Sequence, residues 1–418
     1  MRAIRLFLML SLPLLAFLLG LARMLRTGQV DPLLWAAPCA ILLIVAALLP
    51  STARPSFRTL WSALGCLLVV GLFVLLEGRP FPLGRLALSA TVVMAAAAAA
   101  LCLRHRRPRL PGIVLIGGMM LVLWLAGRGD RLAPAADREP LAVVTALPLF
   151  WAEGASGLGD PHDAPIIAVL RTRFDVRPLD APDPASLAAF RTLLLAQPRA
   201  LSPAALVEID DWVRAGGRAV ILADPLLRWP SPLPPGDRRR PPATGLLDPL
   251  LAHWGVMLER PAGAAVAEER RLLTDARLVT LAGSSHFRSA TDKCRRRRDA
   301  PVAACAIGGG KVVLVADADL LDDRLWLHDP ARPLDQRAWT ADNPALLLDW
   351  LGRPTSDRRP WVSDRAGLIA AIRWAMLLGL AWAMVGTMLF IRAKRWLFAP
   401  FSPASPSPSR PKWDNFPS

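Results

Sequence analysis

Three aspartates stand where short apolar runs end. Asp224 closes "RAVILADP", and Asp317 and Asp319 close "KVVLVADAD". Apolar runs of this length between helix signals are expected to be strands buried on both faces. The C-terminal ends of such strands are where α/β sheets hold ligands. Asp224, Asp317 and Asp319 are therefore candidates for one acidic, ligand-binding pocket. The commoner job of aspartates at such positions is capping helices and making turns, and that is the default expectation.

Other groupings carry weaker chemistry. Gly154, Gly157 and Gly159 follow the first expected strand and could cradle a phosphate at a helix N-terminus. Their spacing departs from the dinucleotide fingerprint and suits a plain loop. The string "GDPHD" gathers Asp160, His162 and Asp163, but no second histidine pair completes a metal site. A solvated turn is expected there, with no metal and no cofactor. Ser284, Ser285 and His286 are adjacent, the wrong spacing for a nucleophile and its base, and are read as loop. Covalent catalysis in an α/β domain needs a nucleophile on a sharp strand-to-helix turn, with a histidine base. The expected strands end instead in Gln197-Pro198, Asp224-Pro225 and Asp317-Ala318-Asp319. No catalytic residue is assigned, and no enzymatic activity is expected. Nor is there a phosphate-binding Walker loop, so any ATPase would be a separate chain.

The elements that must position these residues alternate. "LAVVTALPLF" (141–150), "FDVRPLD", "RTLLLAQP" (191–198) and "RAVILADP" read as strands, with a helix over 164–173. Between the last two strands, Ser202 is an N-cap followed by Pro203 at the first helical position. Ala205, Leu206, Ile209 and Trp212 then share one face, Glu208, Asp210 and Asp211 the other, and Gly216–Gly217 stops the helix. That is one βαβ crossover, so the sheet is expected to be mostly parallel with helices packed on it. After a Pro/Arg-rich insertion (229–243), "GLLDPLLAHWGV" reads as a helix. "PVAACAIGGGKVVLVADADLLDD" (301–323) reads as two strands joined by a glycine turn. "DNPALLLDWL" (342–351) reads as a closing amphipathic helix.

This soluble-type domain lies between apolar runs. Five fill the first third, Leu6–Ala22, Pro32–Leu49, Leu60–Leu76, Leu86–Leu103 and Leu110–Ala126, and a sixth covers Gly367–Ile391. They approach or exceed the length that crosses a bilayer. The net charge of +16 invites a nucleic-acid partner. Its distribution excludes that reading, because residues 128–362 hold 31 basic and 30 acidic side chains, whereas the rest hold 19 and 4. The excess flanks the apolar runs, as the positive-inside rule requires. The cluster "RHRRPR" (104–109) and the tail beyond Ile391 are placed in the cytoplasm. Counting spans from there puts both termini inside, in a bacterial inner membrane, and the domain outside. The expected organisation is a five-span region (1–127), an exported α/β domain (128–362), a C-terminal span (363–391) and a disordered tail (392–418). Arg373, inside the sixth run, is expected to snorkel to the outer interface. Export would put Cys294 and Cys305 in an oxidising compartment; a bridge and two free thiols both remain open. The arginines between them, Arg295–Arg298, suit an anionic partner or a solvated loop.

The order of a capped helix, "RAGGRAVILADP", "IGGGKVVLVADADLLDD" and "DNPALLLDWL" resembles the exported domain of gliding-motility-type ABC-transporter auxiliary proteins, within the class I glutamine-amidotransferase-like superfamily. The resemblance covers about residues 140–352 and implies a flavodoxin-like or amidotransferase-like domain. It also implies a non-catalytic scaffold subunit in a membrane complex, in contact with lipid and with a separate ATPase. An envelope hydrolase or transferase, or a ligand sensor using the C-terminal edge of the sheet, are the other classes open to the sequence.

Overall fold

The computed structural model describes residues 7, 10–48, 55–104, 110–151, 163–259, 268–274, 277–283, 285–289, 293–296, 301–355, 359–362 and 364–397. Among the described residues the helices α1 (Leu12–Thr27), α2 (Leu33–Leu48), α3 (Pro55–Glu77), α4 (Leu83–Arg104) and α5 (Leu110–Gly129) come first. The domain follows, with β1 (Glu139–Thr145), α6 (Pro165–Leu170), β2 (Phe174–Pro178), α7 (Pro184–Leu187), β3 (Thr192–Ala196), α8 (Pro203–Arg214) and β4 (Arg218–Leu222). Its second half has α9 (Asp248–His253), β5 (Val256–Glu259), β6 (Glu268–Thr274), β7 (Arg277–Ala282), β8 (His286–Ser289), β9 (Cys294–Arg296), β10 (Val302–Ile307), β11 (Gly310–Val315) and α10 (Asn343–Trp350). The long helix α11 (Arg365–Leu397) ends the described chain.

Among the described residues, four segments are long and apolar enough to cross a membrane: Ser56–Glu77, Leu83–Arg104, Leu110–Arg128 and Arg365–Arg392. Helix α2 is apolar but shorter. It packs with α1 and α3 around one core of Phe17, Trp35 and Phe73, whose ring centroids lie 5.3–6.3 Å apart. Arg373 is exposed on α11 and has no hydrogen bond or ion pair among the described residues.

The main sheet has the order β2-β1-β3-β4-β11-β10-β9. The first five strands are parallel; β10 and β9 add an antiparallel edge. The expected βαβ crossover is present, with β3 and β4 as parallel neighbours in register Thr192↔Arg218 to Ala196↔Leu222. Ser202 caps α8 by accepting the Ala205 N–H at 3.2 Å. Alternation sends Val143, Leu194, Val220 and Leu222 to one face of the sheet, and Ala142, Leu193, Leu195 and Ile221 to the other. Both faces are covered, which is why these strands are continuous apolar runs. Ile209 and Val213 of α8 are fully buried, each stabilising the fold by about 1.5–3 kcal/mol. At the β10–β11 turn Gly308 takes a φ of +56°. Gly310 has a different role: a Cβ there would lie 2.0 Å from the Val213 carbonyl oxygen, so only glycine lets the hairpin close on α8.

Four sequence expectations are corrected. The segment 256–296 contains five strands, β5 to β9, that no alternation announced. His286 lies in β8 rather than in a loop, and Cys294 in β9. The helix over 164–173 is only Pro165–Leu170, since the chain turns at once into β2. The closing helix is not amphipathic. Asn343 to Leu348 are all buried, because β7 and a 3-10 turn at Asp319–Leu321 pack against it as well. Cys294 and Cys305 are direct cross-strand partners joined by a disulfide, with Cα atoms 4.0 Å apart.

Candidate functional site

β4 and β11 are adjacent and parallel, so their C-terminal ends bring Asp224, Asp317 and Asp319 together. One oxygen of each carboxylate lies within 4.8 Å of one from each of the others, and all three residues are buried. Five of the six oxygens accept backbone N–H groups. Asp224 accepts from Leu226 and Ala318, at 2.7 and 3.3 Å. Asp317 accepts from Ala282 and Leu320, at 2.8 and 3.1 Å. Asp319 Oδ2 accepts from Arg228 at 2.8 Å. The sixth, Asp319 Oδ1, is buried without a hydrogen bond among the described residues. The cluster therefore ties together the turns after β4, β7 and β11.

Three carboxylates this close in a low dielectric cannot all stay charged. Burial raises the Asp224 carboxyl to about 6. It raises Asp319 to about 7, with the Asp224 charge adding to the effect. Burial, then the neighbouring Asp224 and Asp319 charges, push Asp317 well above the usual carboxylate range. A proton on Asp319 Oδ1 would turn this atom into a donor toward a neighbouring carboxylate oxygen of the cluster. A cation could bridge the same carboxylates, since oxygens up to 4.8 Å apart can flank an ion that holds its ligands at roughly 2.3–2.6 Å. Three carboxylates alone fall short of the six to eight oxygens such an ion takes, and five of their oxygens already hold amides.

Gln197, at the end of β3, has a φ of +43°. Among the described residues it is the non-glycine residue in this region, where strain marks an over-determined position. Its fully buried side chain receives the Asp224 N–H at 2.9 Å and donates to the Asp224 and Pro242 carbonyls, each at 3.0 Å. A sharp strand-to-helix turn is where an α/β hydrolase carries its nucleophile. Here that turn carries an amide that locks the next loop. The only sequence signal was a polar residue ending an apolar run.

The remaining candidates separate. Gly154, Gly157, Gly159, Asp160 and His162 lie outside the described residues, as does Ser284. Asp163 is described and pairs with Arg171 at 2.7 Å. Ser285 is buried with its hydroxyl unpartnered among the described residues, while the His286 ring pairs with Glu259 at 2.8 Å. A pocket of about 620 Å³ lies beside the strand ends, lined by Arg199, Trp229, Asp237 and Pro242 among others. Asp224, Asp317 and Asp319 do not line it.

A second buried cluster, missed by the sequence reading, joins the domain to the helices. Asp130, just beyond α5, accepts from Arg85 at 2.6 Å and Arg359 at 2.8 Å. Arg85 also pairs with Asp31 at 2.5 Å. Arg359 donates to the Gln29 and Gln336 side-chain oxygens, and the Gln29 amide donates to the Gln336 and Trp339 carbonyls. Backbone bonds from Val30 to Pro360 and from Val362 to Gly28 run beside it.

The molecule is thus an α/β domain with a closed carboxylate cluster at its strand ends, seated on a bundle of apolar helices. Residues 140–262, from β1 through β5, match the family model described as an ABC-type uncharacterized transport system. No curated protein matches the chain. Solved structures similar to it include the exo-beta-1,4-mannosidase Op5Man5 from Opitutaceae bacterium strain TAV5, at 13% identity and a TM-score of 0.27, over 58% of this chain and 39% of that one. A beta-galactosidase from Rahnella sp. R3 is 12% identical with a TM-score of 0.28, over 62% and 39%. One from Bacillus circulans sp. alkalophilus is 12% identical with a TM-score of 0.25, over 71% and 51%. This chain spans at most about half of each. TM-scores this low carry nothing about its chemistry.

Proposed function

We propose that this chain is a non-catalytic, integral membrane auxiliary subunit of an ABC-type transport system, with a flavodoxin-like domain held outside the inner membrane. The observation that carries the reading is the family match over residues 140–262. The parallel order β2-β1-β3-β4-β11 supports the fold assignment, being the doubly wound order of flavodoxin-like sheets. Ligands in such sheets bind where the strand order reverses, here between β1 and β3. The carboxylates stand beyond that point, on β4 and β11, with five of their six oxygens held by backbone amides. That placement, and an amide where a nucleophile would stand, favour a scaffold over a hydrolase. The 620 Å³ pocket beside the strand ends favours ligand sensing as a second reading.

Extraction in mild detergent after cross-linking in native membranes tests the function. The chain is expected to bring down a permease and a separate P-loop ATPase. A chain recovered without an ATPase would overturn the proposal. Orientation has its own test. A periplasm-dependent reporter inserted after Ala136 is expected to be active, and Cys294 and Cys305 to resist thiol labelling in unreduced, denatured protein. Cytoplasmic reporter activity would invert the topology.

A further inference from the structure

We propose that the crevice between the end of α1, the start of α11 and the β6–β7 hairpin binds the phosphate of an anionic phospholipid, in the leaflet on the domain's side. The crevice measures about 450 Å³ and brings together Arg26, Arg270 and Arg324 from three separated parts of the chain. Glu268 is the acidic residue on its wall. Leu25 and Leu368 line it as well, Leu25 being 58% exposed.

The three arginines are held differently. Arg270 donates to the Thr340 carbonyl at 2.8 Å, and its guanidinium lies 6.0 Å from the Trp361 ring centroid. One edge is fixed, leaving its other donors for a ligand. Arg324 is paired with Asp322 but keeps 59% of its side chain exposed. Arg26 has no hydrogen bond or ion pair among the described residues. Guanidinium groups converging on one space match a phosphate, which accepts bidentate, charge-assisted bonds. Position selects a lipid as its source. Helix α1 ends at Thr27, and α11, whose segment Arg365–Arg392 is long and apolar enough to cross a membrane, begins at Arg365, so the crevice sits at the mouth of the apolar bundle, the level at which headgroups would lie. Leu25 and Leu368 on the crevice wall offer the acyl chains an apolar surface. This site does not depend on the transport-system reading.

The test uses the purified full chain in neutral detergent, with thermal unfolding followed by tryptophan fluorescence. Added probes are dioleoyl phosphatidylglycerol, dioleoyl phosphatidylcholine or inorganic phosphate. Phosphatidylglycerol is expected to raise Tm well beyond phosphatidylcholine, and inorganic phosphate at equal concentration to leave it unchanged. Arg26→Gln removes an exposed side chain without a partner among the described residues, so its Tm without lipid should match wild type. Its phosphatidylglycerol affinity should fall about tenfold, the value of one charge-assisted contact. Arg26→Gln/Arg270→Gln should lose the response. Arg177→Gln, which removes a positive charge elsewhere on the domain, should keep it. An equal response in wild type and Arg26→Gln, an equal loss in Arg177→Gln, or a full response to inorganic phosphate would each overturn the proposal.

Discussion

Asp319→Asn is expected to stabilise the protein at pH 8 in chelator-treated buffer, and to leave it little changed at pH 4. The Asp319 carboxyl titrates at about 7 in the fold, against 3.8 for the free side chain, with burial as the main cause. A raised folded pKa means the native state binds the proton more tightly. The stabilisation from that proton is complete below about pH 4 and is lost as pH rises through 7. Asp224, raised to about 6, acts in the same direction over a lower window. A shift of about three units corresponds to at most roughly 4 kcal/mol. The asparagine variant escapes this cost. Its amide oxygen can accept the Arg228 N–H, and its NH₂ takes the place of Oδ1 as a donor toward a neighbouring carboxylate oxygen. Chemical denaturation from pH 4 to 8 measures both effects: wild type should lose stability as pH rises, and the variant should show a flatter profile. A bound cation predicts the reverse, because the variant would lose a ligand and be less stable when calcium is present. A destabilised variant at pH 8 with chelator would remove the shared-proton account.

Asp130→Ala is expected to be the most damaging single change at the junction between domain and helices. It leaves Arg359, whose side chain is 4% exposed, without its carboxylate, and strips Arg85 of one of two partners. Breaking a buried ion pair from one side costs about 3–5 kcal/mol, because the remaining charge stays buried and unpaired. The loss falls on the contact that carries Gln29, Gln336 and Trp339 between bundle and domain. Wild type should therefore unfold in one transition, and Asp130→Ala in two, the domain melting apart from the helices. Faster proteolytic cleavage between residues 129 and 139 should accompany it. Arg359→Met, which removes the buried cation while leaving Asp130 its Arg85 partner, should be milder. A single transition of unchanged midpoint in Asp130→Ala would show that the network contributes nothing to docking.

The candidate site was half legible. Asp224, Asp317 and Asp319 could be placed at strand ends because the apolar runs before them have the length and composition of buried strands. Their convergence depended on β4 and β11 becoming neighbours, although nearly a hundred residues separate them. Gln197 was visible as a strand-ending residue, but its positive φ follows from the loops packed around it. Ser285 and His286 gave adjacency and nothing more; the structure turns one inward and pairs the other with Glu259.

The sequence by itself determined the apolar helices, the parallel β3–α8–β4 unit, the capping role of Ser202 and the glycine hairpin. Each depends on periodicity or on a residue's own backbone preference, and both act over a few positions. Tertiary structure alone decided the rest. Strands β5 to β9 show no regular alternation, because their burial comes from different neighbours, β5 against α9 and β8, β7 against β6, α10 and the Asp319–Leu321 turn, and β9 on the edge of the main sheet. Helix α10 is buried from Asn343 to Leu348 on every side, since β7 and the Asp319–Leu321 turn cover a face that a sequence reading leaves to water. The junction draws on residues 29, 31, 85, 130, 336 and 359. In the linear chain each of these is an unremarkable polar residue, and Gln336 lies far from any of the apolar segments. Only when the chain closes do they become one desolvated network, in which every charge depends on a partner brought from elsewhere.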